Sequence, residues 1–416
     1  MNRGLKRLSA ALMVLALLVY LGYLALYVAH AVHLFQWPYD YDQGEGFELY
    51  DAVLYRQGEW PYRDNAAYPY YASNYPPLFH LLIVPLLPLV GVTPAAGRIV
   101  SFTATLVTAG VIGLIVRREV KGWFVPVLAG LAYLASNYVY QIGPLCRLHA
   151  TMVMFEALAV LFLARFEKRR NRVLGLLMLL LAGYTKQMAV FTVAATLSYV
   201  FLRDVKTALV AGLTLALVAG AIFWGLNLAT DGQWWINIIQ ANVNEFDYLM
   251  SISLFKQWLR LHPVLILLSL GLLVYELYWD RLSIYALWFL FALATGALSG
   301  KWGAGPGYFL TAVAASCIAA GLALGRLRTA LARRIKPPCS KRALRGGIAL
   351  LFLAQAGFML HLPTTGPVLG PVARALGVAD EQMELGCRAY AYVDAIGYTQ
   401  VGHRPTPADY AAGEAI

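Results

Sequence analysis

The sequence predicts an all-α, polytopic membrane protein with about eleven transmembrane helices. Three observations lead there. Of its 416 residues, 60% are hydrophobic and only 13% charged, with a mean hydropathy of +0.61, whereas about a quarter of a soluble domain is charged. Apolar runs of roughly 20 residues, long enough to cross a ~30 Å hydrocarbon core, recur along the chain. The formal charge of +11 is carried in short basic clusters between those runs, the pattern of a positive-inside bias rather than of a nucleic-acid surface. The expected solvent is a lipid bilayer, and no nucleic-acid partner is expected.

The elements follow in order. The first span, 8–29, comes after Arg3, Lys6 and Arg7. Its apolar stretch of about 20 residues exceeds the core of a signal peptide, so an uncleaved helix with a cytoplasmic N-terminus is expected. A first outer loop, 31–96, contains an apolar piece at 77–92 interrupted by Pro85 and Pro88. If that piece crossed, every later loop would invert and the basic clusters would face outward, so it reads as a juxtamembrane or re-entrant helix. Spans 97–116, 123–140, 150–165, 173–184, 188–202 and 207–229 follow, the short 173–184 segment ending against a cavity. After a second large outer loop, 230–262, come spans 263–279, 282–299, 308–325 and 346–362. Alternation then puts Arg117, Arg118, Lys121, Arg165 to Arg172, Arg203, Lys206, Arg281 and the stretch from Arg326 to Arg345 on the cytoplasmic side. Residues 1–362 form the transmembrane module, and 363–416 an extracytoplasmic tail. The tail closes on Thr406-Pro-Ala-Asp409, a capping-box-like spacing with Pro at the first helical position, and stops soon after. It reads as the start of a truncated soluble domain.

The first loop concentrates the chemistry. It holds Asp40, Asp42, Glu45, Glu48, Asp51, Glu59 and Asp64, seven of the 22 acidic residues, interleaved with tyrosines and tryptophans. The run Asp40-Tyr-Asp42-Gln-Gly-Glu45-Gly lies just past the outer end of the first helix, where a carboxylate can act as general base toward a hydroxyl. A merely solvated acidic loop is the competing reading. Lys186 falls between two spans at the outer face, and Lys301 lies in a glycine-rich turn with Tyr308 one to two turns on. Cations there suit a phosphate leaving group, whose oxygens gain negative charge; interfacial snorkelling is the alternative for both. Arg63, Arg98 and Arg147 are weaker phosphate candidates, each equally suited to pairing with a loop carboxylate. Rings such as Tyr75 can stack on a sugar or a lipid tail, or belong to an interfacial aromatic belt. Glu156, inside a span, reads as packed against a polar partner. Cys146, Cys317, Cys339 and Cys387 have no metal-ligand spacing, and His30, His33, His80 and His262 no zinc-like grouping. No cofactor or metal is expected.

At this point a resemblance can be stated. Asp42-Gln-Gly-Glu45-Gly, Gly58-Glu-Trp-Pro-Tyr-Arg-Asp64 and Asn74-Tyr-Pro-Pro-Leu-Phe79 together resemble the first outer loop of the GT-C superfamily of membrane glycosyltransferases. The resemblance is to the bacterial branch related to protein O-mannosyltransferases and lipid A aminoarabinose transferases. It continues through Gly97-Arg98, Thr185-Lys186-Gln187 and Lys301-Trp-Gly-Ala-Gly-Pro-Gly-Tyr308-Phe309. It implies transfer of a sugar from a polyprenyl-phosphate donor to an acceptor outside the cytoplasm, usually with inversion. The acceptor class (glycan, lipid or protein) stays open. It also implies a base at Asp42, with Glu45 second. The family often has a further acidic residue after an Arg in the next outer loop; here that place reads Arg147-Leu-His149, so either His149 substitutes or Glu45 supplies the second carboxylate. A transporter or flippase of lipid-linked sugars is the alternative, although no internal repeat supports it.

Overall fold

In the computed structural model, residues 2–42, 44–334 and 338–360 are described, with Pro407, Ala411 and Glu414 beyond them. The expectation for 363–416 therefore lies outside the described residues, isolated positions apart. Every segment expected to span is helical, and no β-strand occurs among the described residues. Helix α1 (Asn2–Gln36) runs up to Trp37-Pro38. Helix α2 (Glu45–Gln57) has Glu45 and Glu48 in its first turn, favourable to the helix dipole. It ends at Gly58, whose left-handed φ of 78° lets its N–H return to Leu54 and Tyr55 carbonyls. The apolar piece at 77–92 forms α3 (Leu78–Ile83), a 3-10 turn and α4 (Leu87–Val90). Pro85 and Pro88 break it as expected, because neither can donate to a continuing helix.

The main bundle begins with α5 (Ala95–Glu119), α6 (Phe124–Ala135) and α7 (Asn137–Ile142). Here small residues bring backbones together: a Cβ at Gly130 would lie 2.6 Å from the Ala109 carbonyl oxygen, the close approach on which helix pairing in lipid depends. Helices α8 (Leu148–Leu163) and α9 (Arg169–Thr185) pair closely, and α10 (Val190–Phe201) leads into α11 (Val205–Ala229), capped by the Asp204 carboxylate. Most of α11 is exposed; Leu209, Leu213, Leu217, Trp224 and Leu228 face outward, an apolar surface suited to lipid. Next come α12 (Gln233–Ile238), α13 (Tyr248–Leu261) and α14 (Pro263–Trp279). The last two meet at a 95° bend. There Gln355 accepts from the Val264 and Leu265 amides (3.0 and 3.1 Å) and donates to the Leu261 carbonyl (2.8 Å). One buried amide thus satisfies both helix ends that the break exposes.

Helix α15 (Ile284–Ala297) precedes α16 (Leu310–Arg334), which is buried over most of 310–325, and α17 (Pro338–Leu360) returns to α1. Tyr20 and Tyr23 donate to the Phe352 and Ala356 carbonyls at 3.0 and 2.8 Å. Among the described residues, four helices are long and apolar enough to cross a membrane unaided, α1, α5, α11 and α16 with its preceding 3-10 turn, or five spans if the bent α13–α14 pair counts as one. The other apolar helices are shorter.

The two ends of the bundle differ in charge. At one end, Arg203 donates to the Leu282 carbonyl at 2.7 Å, Arg326 pairs with Glu276 and Asp280 at 2.7 and 3.0 Å, and Arg328 reaches the Lys121 carbonyl. The basic connections expected on one side are thus held at one end. The loops after α1, α7, α9, α11 and α15 meet at the other.

Candidate active site at the acidic end

The site is built where the start of α2, the turn before α8 and the α9–α10 break converge. Asp42 lies in the bend before α2, and Arg147, the residue before α8, grips it through a forked pair: Nε to Oδ2 at 3.2 Å and Nη2 to Oδ1 at 2.5 Å. Both side chains remain partly open, at 29% and 21% exposure. Gly44 makes the fork possible, since a Cβ there would sit 1.9 Å from Arg147 Nη1.

Lys186 occupies the junction of α9 and α10, where the backbone turns extended (φ −156°, ψ 135°) and the helix hydrogen bonds lapse. Its ammonium, 1% exposed as a residue, lies 3.0 Å from His149 Nε2 and over the rings of Tyr75 (4.5 Å) and Tyr308 (5.0 Å). Burial pulls the Lys186 ammonium down to about 7, Glu48 opposing and Arg147 and Lys301 reinforcing that shift. Gly307 lets His149 pack against the backbone, a Cβ there lying 3.2 Å from the ring. Burial also lowers Lys301, which donates to Asn242 Oδ1 at 3.2 Å. Asn242 and Gln187 both donate to the Asn74 carbonyl, at 2.8 and 3.0 Å. The Asn-Tyr-Pro-Pro motif, the lysine junction and the second large loop are thereby tied into one frame.

Not every expected site residue joins this group. Glu45 and Arg98 form a completely buried ion pair, Nη2 to Oε2 at 2.5 Å and Nε to Oε1 at 2.8 Å. The Tyr41 and Cys146 amides donate to the same carboxylate at 2.8 and 2.7 Å, so its four lone-pair positions are taken. Arg98 also donates to the Leu34, Trp37 and Tyr39 carbonyls. The pair braces the first loop against α1 and α5, and the structure does not bring Glu45 or Arg98 into the group around Lys186. Arg63, too, stands elsewhere: it pairs with Glu59, donates to the Trp60 carbonyl and lies on the exposed loop after α2. Glu156 meets its polar partners, accepting from Thr192 and Thr311 at 2.7 Å each.

Sequence reasoning missed a second acidic cluster behind the first. His80 Nε2 lies 2.7 Å from Glu48 and 3.6 Å from Asp51, all three buried. Asp51 accepts from Tyr71 and Ser73, each at 2.5 Å, and the Ser73 amide donates to Asn237 of α12 at 3.0 Å. Burial raises the Asp51 carboxyl and opposes the His80 charge, but the Glu48 and Asp51 carboxylates carry His80 upward on balance. A signal was present: Glu45, Glu48 and Asp51 recur every three residues and so share one helix face. That face is buried while Phe47 and Tyr50 point out, an inverted amphipathicity. Cys146 and Cys317 are buried free thiols, and no group of three or more side chains disposed to hold a metal ion occurs among the described residues.

Similarity to known proteins appears at two levels, sequence family and fold. Residues 74–231 match the family model described as dolichyl-phosphate-mannose-protein mannosyltransferase. The fold is similar to crystal structures of ArnT from Cupriavidus metallidurans. The apo form gives a TM-score of 0.56 at 17% identity, over 92% of this chain and 78% of that one. The form bound to undecaprenyl phosphate gives 0.54 at 17% identity, over 92% and 77%. No curated protein matches by sequence. The matched segment, less than half of the chain, contains the Asn-Tyr-Pro-Pro motif, Arg98, Arg147, His149 and Lys186, and the similarity of fold extends over nearly the whole chain.

Proposed function

We propose that the chain transfers a hexosyl or pentosyl group from a polyprenyl-phosphate donor to an acceptor hydroxyl on the extracytoplasmic side, with Asp42 as general base. The observation that carries this reading is the apposition of a partly open carboxylate, Asp42, to a cationic and aromatic nest in which Arg147, Tyr75 and Tyr308 surround the buried His149 and Lys186. In the proposed step Asp42 takes the proton of the acceptor hydroxyl, and that oxygen forms a bond to the anomeric carbon. The bond from that carbon to phosphate oxygen breaks, and the electron pair leaves with the phosphate. Lys186 and Arg147 stabilise the charge gathering there, with Lys301 nearby. A phosphate is a weak base, so the reaction invokes neither a general acid nor a metal. A single displacement inverts the anomeric centre. ArnT bound to undecaprenyl phosphate supports the donor class by analogy of fold.

The charge of the two ends supports this side: a basic end in the cytoplasm, as the positive-inside rule favours, turns the site outward. The test is transfer in membranes from radiolabelled polyprenyl-phosphate monosaccharides to endogenous acceptors, wild type against Asp42→Asn at equal expression. Product should fall by at least about 100-fold in the variant, the scale of losing a general base. Undiminished transfer would remove Asp42 from the chemistry. Lipid translocation without turnover would establish a flippase instead.

A further inference from the structure

The base in this site is already occupied by a cation. Asp42 is forked by Arg147 through Nε and Nη2 and accepts from the Gly44 amide at 3.3 Å, so most of its lone-pair positions are taken although the side chain keeps 29% exposure. Arg147 also lies within electrostatic reach of Lys186, His149, Tyr75 and Tyr308. It therefore couples the base to Lys186 and His149 electrostatically. Two of its five N–H groups serve Asp42; a planar guanidinium of this kind prefers a bidentate oxyanion, whether carboxylate or phosphate.

From this geometry we infer that Arg147 is a positioning residue that masks Asp42 while the donor site is empty and releases it when a phosphate enters beside Lys186. The inference rests on the proposed donor class. A phosphate beside Lys186 offers Arg147 a second oxyanion carrying the charge of the donor. The guanidinium swings toward it, exchanging one fork for another, and Asp42 regains lone pairs for the acceptor hydroxyl. Binding is then ordered, donor before acceptor, and the base is exposed only when there is an anomeric carbon for the deprotonated oxygen to attack. The steric complement of Arg147 is Gly44. A methyl group there overlaps the guanidinium, at 1.9 Å from Nη1, 2.2 Å from Cζ and 2.3 Å from Nη2, while the Gly44 backbone (φ −99°, ψ −3°) accepts an alanine without strain. Gly44→Ala thus displaces the end of a flexible side chain and breaks the fork without removing either charge.

The test is carbodiimide-driven coupling of glycinamide to carboxyl groups in the purified full chain, read at Asp42 by mass spectrometry, with and without farnesyl phosphate. Farnesyl phosphate binding is measured separately by tryptophan fluorescence. The expected result is labelling of wild-type Asp42 that rises several-fold when farnesyl phosphate saturates, and labelling of Gly44→Ala that is high with or without it. Arg147→Lys, which keeps a charge but cannot fork, should behave like Gly44→Ala. Farnesyl phosphate that binds while Asp42 labelling stays constant or falls would overturn the masking role and leave the donor class intact. Failure of farnesyl phosphate to bind any of the three proteins would overturn the donor class, and the masking role with it.

Discussion

At the residue scale, the site separates groups that keep charge available for a ligand from groups whose charge and hydrogen bonds the protein itself consumes. Lys186 belongs to the first kind, and its burial gives a pH dependence with a definite sign. An ammonium titrating at about 7 is largely neutral above that pH, whereas a phosphate beside it favours the charged form. Donor binding must then take up a proton, so affinity for a prenyl phosphate should fall by about tenfold per pH unit above neutrality. Titration of farnesyl phosphate between pH 6 and 9 checks this, and Lys186→Arg should flatten the slope because guanidinium does not titrate there. Glu45 belongs to the second kind. Glu45→Ala leaves Arg98 charged in a dry interior, which should cost about 3–5 kcal/mol. A thermal melt in detergent measures it, and replacing both residues with apolar ones of similar volume should recover much of the loss.

Between elements, motif order and helix placement were legible because both are local. Lys186, Lys301, Tyr308 and the Asn74-Tyr-Pro-Pro run could be read as site residues, since each sits where an apolar run stops. Pairings were not legible. That Arg98 holds Glu45 and Arg147 holds Asp42 depends on contacts across 53 and 105 residues, and no periodicity encodes which guanidinium reaches which carboxylate. The same holds for the α13–α14 bend: one span beginning at Pro263 was readable, but its patch comes from Gln355, 91 residues from Val264. Gln355→Leu leaves the Val264 and Leu265 amides and the Leu261 carbonyl without that partner in the interior, at about 1–3 kcal/mol for each unsatisfied group. The variant should melt several degrees lower while retaining its prenyl phosphate affinity, because the bend is not among the groups that touch Lys186.

Over the whole molecule, segregation of charge fixes the expected orientation. Trp302 and Val243 are exposed at the acidic end, and Arg170 belongs to the basic end. Single cysteines placed at these positions, in a background freed of the native thiols, should divide cleanly in intact cells. Trp302→Cys and Val243→Cys should react with a membrane-impermeant maleimide, and Arg170→Cys only after lysis. The opposite result would invert the topology and move the proposed chemistry to the cytoplasm.

The inside-out helix α2 bears on how the chain is made. Its buried face carries Glu45, Glu48 and Asp51, and each finds its partner later in the polypeptide: His80 after 32 residues, Arg98 after 53, with Asp42 waiting 105 for Arg147. During synthesis the first loop therefore emerges as a strip of unmatched carboxylates under an aromatic skin. It cannot dock on the bundle until the second span brings Arg98, nor close the site until the fourth brings Arg147. Ribosome-bound chains halted before residue 98 should expose this loop to protease, and chains halted well past 186 should protect it. Synthesis itself then sets a timetable in which the lipid-embedded scaffold is inserted first and the reactive corner is completed last.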